Sequence, residues 1–302
     1  MTSTAGPSQQ GLARSLLADP GFGPLPALLL ILTAVSGVVD AVSILSLGRV
    51  FVANMTGNVV FVGFAIAGAP GFSLSASLFA LAGFLAGAAV GGALISRSGR
   101  DRAVLLRAGV AAELILAVAA LVLAALSGAP GVSHGMAALS GGAFGAAATD
   151  ALAALLAIAM GIQNAVARKL AVPDMTTTVL TMTLTGLAAD LRAEIRGGPG
   201  RTAARTALGR RLLAIAAMLV GAITGALLVL RVSPLSGLIL ATALLAVVTI
   251  GAQAAVRWWK GARAELAPHL GRGLHDELEL GFLVIDGQRV ALHGRGEATL
   301  AG

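Results

Sequence analysis

Apolar runs of about twenty residues recur from one end of this chain to the other. That is the length a helix needs to cross the hydrocarbon of a bilayer. In lipid every backbone N–H and C=O must be paired within the chain, which leaves only helices or a closed barrel. Barrel strands alternate polar and apolar residues over about ten positions. The runs here are longer, unbroken and rich in Ala, Leu and Gly. The expected fold is therefore all-α, a polytopic helical membrane protein. Charged residues make up 12% of the chain, about half of what a soluble domain carries, so no large soluble domain fits beside the spans.

Eight membrane segments are expected, with six to eight compatible with the pattern, near 24–48, 50–69, 72–96, 103–127, 150–170, 173–191, 211–230 and 235–257. Pro, Gly and Arg clusters separate them, as at helix ends. Residues 133–149 are Gly/Ala-rich and read equally as a loop, a re-entrant segment or an early start to the fifth span. Residues 1–23 are polar and expected to be disordered. With Arg14 as their only basic residue, they do not read as a secretory signal. The membrane domain is placed at 24–257 and a soluble tail at 258–302. The run Arg257-Trp258-Trp259-Lys260 reads as an interfacial stop, since indole rings settle at the headgroups and cations snorkel to them. In the tail, Phe282–Ile285, Asp286-Gly287 and Arg289–Leu292 suit a small hairpin.

Two polar stretches interrupt the apolar pattern, and they match each other. Gly37–Val60 reads GVVDAVSILSLGRVFVANMTGNVV, and Gly161–Leu184 reads GIQNAVARKLAVPDMTTTVLTMTL. Gly37, Asp40 and Ala41 correspond to Gly161, Asn164 and Ala165. Asn54, Met55, Thr56, Asn58 and Val59 correspond to Asp174, Met175, Thr176, Thr178 and Val179. Downstream, Gly83, Gly87 and Gly91 correspond to Ala217, Gly221 and Gly225, small residues at the fourth-residue spacing that lets membrane helices approach closely. The order of these blocks favours a duplication with halves near 24–127 and 150–257. Eight full crossings make the halves parallel, whereas one re-entrant segment inverts them. Charge counts against eight crossings. Both termini would be cytoplasmic by their basic content, yet the basic loop 97–102 would then face outward, against the positive-inside rule.

The net charge of +7 does not point to nucleic acid, because most Arg lies in short loops beside spans. Cysteine is absent, and His134, His269, His275 and His293 are scattered, so no metal or cofactor site is expected. No nucleophile–base pair or phosphate-binding loop is recognisable, and no enzyme activity is expected. The chemistry lies in intramembrane polar groups, which are costly in hydrocarbon and functional candidates by default. Asp40, Asn54, Thr56, Asn58, Asn164, Asp174, Thr176 and Thr178 form the candidate substrate or ion site, with acid and amide exchanged between the copies. Glu113, opposite Val247 in the repeat, is a candidate proton relay. Packing explanations stand beside these. Asp40 could pair with Arg49 or Arg168, Asp174 could cap a helix after Pro173, and Asn and Thr often join membrane helices.

At GVVDAVSILSLGRVFVANMTGNVV and AMGIQNAVARKLAVPDMTTTVLTMTLTGLAADL the chain resembles the YoaK family of bacterial inner-membrane proteins, whose core is a domain of unknown function. The resemblance covers about residues 25–257 and implies an integral membrane protein without supplying an activity. The function expected from the residues is a small-solute permease with a polar site between two halves, coupled to a proton or cation. The alternative is a non-transporting scaffold or assembly partner that uses its small-residue faces. Expected partners are the lipid bilayer, an unidentified small solute or ion, and a second copy of the chain.

Overall fold

The computed structural model describes residues 24–98, 101–127, 143–170, 183–188, 191–192 and 201–266, and the strands at 278–279, 282–285, 288–293 and 297–300. Seven helices organise the membrane domain: α1 (Leu25–Ser46), α2 (Met55–Ile66), α3 (Leu74–Ser98), α4 (Arg102–Leu126), α5 (Ala146–Leu170), α6 (Arg201–Arg231) and α7 (Pro234–Leu266). Among the described residues six of them, all but α2, are long and apolar enough to cross a membrane. Large apolar side chains such as Leu85, Leu126 and Ile250 stay exposed on their outer faces, the inverse of a soluble domain and the surface a bilayer solvates.

The crossing count is lower than the eight segments expected, because the run at 50–69 does not cross. Its helix, α2, has 12 residues, about 18 Å at 1.5 Å per residue, against about 30 Å of hydrocarbon. Gly48 and Arg49 both take positive φ, 76° and 57°, and turn the chain back at the end of α1. Residues 50–54 are not helical. After α2 the chain returns to its starting level, where Ser73 N–H donates to Gly48 O at 3.4 Å. The segment 47–73 thus enters and leaves on one side. Of the span expected at 173–191, residues 173–182 and 189–190 lie outside the described residues, and 183–188 and 191 are helical. The fifth span begins at Ala146, so the Gly/Ala-rich stretch is in part its early start.

Packing fixes the direction of each helix. A methyl group placed at Gly83 would meet Ala154 O on α5, and one at Gly87 would meet Ile158 O, so α3 and α5 run parallel. Gly221 lies against Ala34 and Gly225 against Val38, so α6 and α1 run parallel. Gly237 meets Val42 while Gly251 meets Leu28, so α7 runs antiparallel to α1. In the span windows 72% of α1 and 56% of α5 is buried, against 33% or less of the other four, which makes these two the central helices. α1 packs on α6 and α7, and α5 packs on α3 and α4.

The seams agree residue by residue. Gly37 faces Met218, Gly221 and Ala222, and Gly161 faces Phe84, Gly87 and Ala88. At these two crossings glycine meets backbone rather than side chain, so the helices touch at a distance no larger residue permits.

These directions put the starts of α1, α4 and α6 and the ends of α3, α5 and α7 on one face. That face carries Arg97, Arg102, Arg168, Lys169, Arg205, Arg210, Arg211 and Arg257, while the opposite face carries Arg49 and Arg231. The basic loop at 97–102 now shares a side with both ends of the membrane domain, and the conflict raised by eight crossings is gone. Asp101 caps α4 there by accepting from Ala103 and Val104 N–H at 3.1 Å.

Beyond α7 the tail forms a four-stranded antiparallel sheet, β1 (Leu278–Glu279), β2 (Phe282–Ile285), β3 (Gln288–His293) and β4 (Glu297–Leu300). Ile285 pairs with Gln288, the two-residue connection expected of Asp-Gly.

Candidate functional site

α1 carries its acid one turn and a half before its end. Asp40 is buried, and its Oδ1 accepts the backbone N–H groups of Val52 at 3.2 Å and Ala53 at 3.0 Å. Those N–H groups belong to the non-helical residues before α2, which have no helical partners of their own. An intramembrane carboxyl therefore holds a broken stretch of backbone in place, and among the described residues its Oδ2 is left without a hydrogen bond. The suggested pairing of Asp40 with Arg49 or Arg168 is not what the packing gives. Arg49 lies over the Phe72 ring, 5.5 Å from its centroid, and Arg168 is exposed.

The rest of the first polar stretch divides into two groups. Asn58 is fully buried and bonds both backbone groups of Phe51: its Oδ1 accepts from the N–H at 2.8 Å, and its Nδ2 donates to the C=O at 2.6 Å. This closes the turn from the non-helical segment into α2, and the stacked pair Phe51–Phe61 (5.5 Å between centroids) packs beside it. Asn54 and Thr56 are exposed at the start of α2. Asn58 thus positions the segment, while Asn54 and Thr56 have accessible polar groups at its tip. Replacing Asn58 with Leu leaves two part-buried backbone groups of Phe51 unpaired. At about 1–3 kcal/mol each, we expect a loss of about 2–6 kcal/mol, read as a lowered unfolding temperature in detergent.

In the second stretch, Asn164 Nδ2 donates to Met160 O at 2.9 Å, while Asp174, Thr176 and Thr178 lie outside the described residues. The residue of α5 that reaches α1 is its neighbour Gln163, whose Nε2 donates to Ser36 Oγ at 2.8 Å. Gln163 and Ser36 were not singled out in the sequence. The available signal was an adjacent Gln-Asn pair in the middle of an apolar span. Glu113 sits apart from Asp40, fully buried in a small cavity between α1, α4 and α5.

Residues 28–251 match the family described as "Protein of unknown function (DUF1275)". The chain is also similar to the UPF0700 transmembrane protein YoaK of Bacillus subtilis (strain 168), at 34% identity over 171 residues, which is 56% of this chain and 68% of that protein. No solved structure matches.

Proposed function

The chain belongs to the DUF1275 family of multi-pass membrane proteins of unknown function, and we propose that it is a small-solute permease built from two inverted halves. Three crossing helices and one re-entrant segment make up the first half, and α5, the stretch after it, α6 and α7 make up the second. Supporting the duplication is the correspondence of the seams, in which Gly37 against Gly221 is matched by Gly161 against Gly87. Supporting the inversion is the direction of the central helices: α1 starts on the basic face and α5 ends there. By the positive-inside rule that face, and both ends of the membrane domain, are cytoplasmic.

The observation that carries the transport reading is Asp40 bonded to the Val52 and Ala53 N–H groups. Interrupted helices held at an intramembrane acid are the usual place for solute and coupling-ion sites in transporters with inverted repeats. In this reading Asp40, Asn54 and Thr56 line the site from the first half, and Asn164, Asp174, Thr176 and Thr178 line it from the second. Solute or ion arrival competes for the Asp40 carboxylate, and the re-entrant segment moves with it.

The test uses purified protein in proteoliposomes loaded with a pH-sensitive dye and challenged in turn with small neutral, anionic and cationic solutes. A solute-dependent pH change or vesicle swelling is expected. It should disappear in Asp40→Asn, whose Oδ1 still accepts from Val52 and Ala53 and so keeps the fold. Undiminished flux in Asp40→Asn removes Asp40 from the site. No flux with any solute, together with a stoichiometric complex with another membrane protein, favours a scaffold.

A further inference from the structure

Glu113 lies outside the Asp40 site and, among the described residues, has no partner that explains its burial. It sits about 17 Å along α4 from Arg102, near the depth of the bilayer midplane. It is fully buried, and among the described residues neither carboxyl oxygen has a hydrogen-bond partner. The same cavity receives the buried side chain of Gln163, whose Oε1 is also unpartnered. The other amide atom is committed: Nε2 donates to Ser36 Oγ at 2.8 Å, and Ser36 donates to Leu32 O at 3.1 Å. The remaining wall is apolar, with Leu29, Leu106, Val110, Val166 and Leu170 among its residues, and the space left is about that of one water molecule.

Two acceptors facing one small apolar cavity are left unsatisfied unless something between them donates. No side chain that lines the cavity from α1, α4 or α5 is charged or titratable apart from Glu113 itself. α7, also packed on α4, has no titratable residue between Pro234 and Val256. Arg107 on α4, Arg168 and Lys169 on α5, and Asp40 on α1 are all outside the lining. Three side-chain oxygens around a one-water space are too few for a metal ion, whose shell takes about six. A proton needs one acceptor pair.

We propose that Glu113, Gln163 and Ser36 form a proton-binding site, in which a protonated Glu113 donates towards Gln163 Oε1, directly or through one water. The chain of donors then runs from Glu113 through Gln163 and Ser36 to the Leu32 carbonyl, and it leaves only the neutral carbonyl oxygen of Glu113 without a donor. Gln163 also serves the empty state. When Glu113 releases its proton to water, the amide turns so that Nε2 donates to the carboxylate, and the Ser36 hydroxyl turns to donate to Oε1. Leu106 and Leu170, at the start of α4 and the end of α5, line the cavity with Glu113, so the basic face is the nearer one for proton exchange. Each chain holds one such site. Along the matched seams, Val39 stands where Gln163 does and Val247 where Glu113 does.

The site stands without the permease reading, and its test needs no substrate. Infrared spectra of the full chain in nanodiscs at neutral pH should show one equivalent of carboxylic-acid carbonyl absorption. Glu113→Gln, close to isosteric, should remove it. Gln163→Leu should shift its frequency by removing the acceptor, and Asp40→Asn should leave it in place. If Gln163→Leu does not fold, Ser36→Ala provides the shift by releasing the Gln163 amide. Loss of carboxylate absorption in Glu113→Gln, with no carboxylic-acid change, overturns the proposal. So does a carboxylic-acid band that appears only after alkali cations are withdrawn, which assigns the cavity to a metal ion.

Discussion

Gly87→Val and Gly221→Val are each expected to prevent assembly of the helix bundle, and to do so to the same degree. A Cβ at Gly87 would strike the Ile158 carbonyl oxygen, and a Cβ at Gly221 would strike that of Ala34. Neither obstacle is a side chain that can rotate away, so α3 must move off α5, or α6 off α1. Overpacking of well-packed cores costs about 1–3 kcal/mol, and a backbone collision belongs at or above the top of that range. In lipid the loss is felt fully, because close packing rather than water exclusion holds the helices together. Size-exclusion profiles and thermal unfolding in detergent measure the effect. We expect little folded monomer from either variant and similar unfolding temperatures where any survives. Gly92 offers a control, since nothing lies within 4 Å of its Cβ position, and Gly92→Ala should behave as wild type. A large difference between Gly87→Val and Gly221→Val would argue against equivalent seams.

Asp40→Leu should be the most damaging change at the candidate site and should differ sharply from Asp40→Asn. Leucine is of similar size but accepts no hydrogen bond, so the Val52 and Ala53 N–H groups lose their shared acceptor in a buried setting. Each unpaired group costs about 1–3 kcal/mol, which gives about 2–6 kcal/mol, a large share of the about 5–15 kcal/mol that holds an ordinary protein folded. The damage should be local first. Hydrogen exchange at Val52 and Ala53 should rise in Asp40→Leu and stay low in Asp40→Asn, while α4 and α7 remain protected. Equal protection in both variants would show that the carboxyl does not hold the segment, and the account of the site would need another anchor for α2.

The spans were legible in the chain because hydrophobic length is a local property. Each run of about twenty apolar residues has one stable form in lipid, whatever its neighbours do. The family resemblance and the tail hairpin were legible for the same reason, resting on short motifs such as Asp286-Gly287. The matched glycines were also visible, but not which helices they would join. Gly87 could have met any small-residue face, and its contact with Ile158 depends on how α3 and α5 pack.

The polar stretch at 47–73 shows the boundary most clearly. Its composition reads as a span, and the apolar run 50–69 is long enough for one. Two positive φ angles and one carboxyl twelve residues upstream of Val52 turn it into a re-entrant segment. That turn leaves the start of α3 on the side where α1 ends, and the packing of α3 on α5 and of α6 on α1 sets the other directions. The roles of individual polar residues followed from contact too. Asn58 looked like a ligand and closes a backbone turn, while Gln163, which was not singled out, lines a cavity with Glu113. The chain alone determined that this is a helical membrane protein with intramembrane acids. The failure of the run at 50–69 to cross, the pairing of α1 with α6 and of α3 with α5, and the contacts of Asp40 depend on residues far apart in sequence, and only packing brings those together.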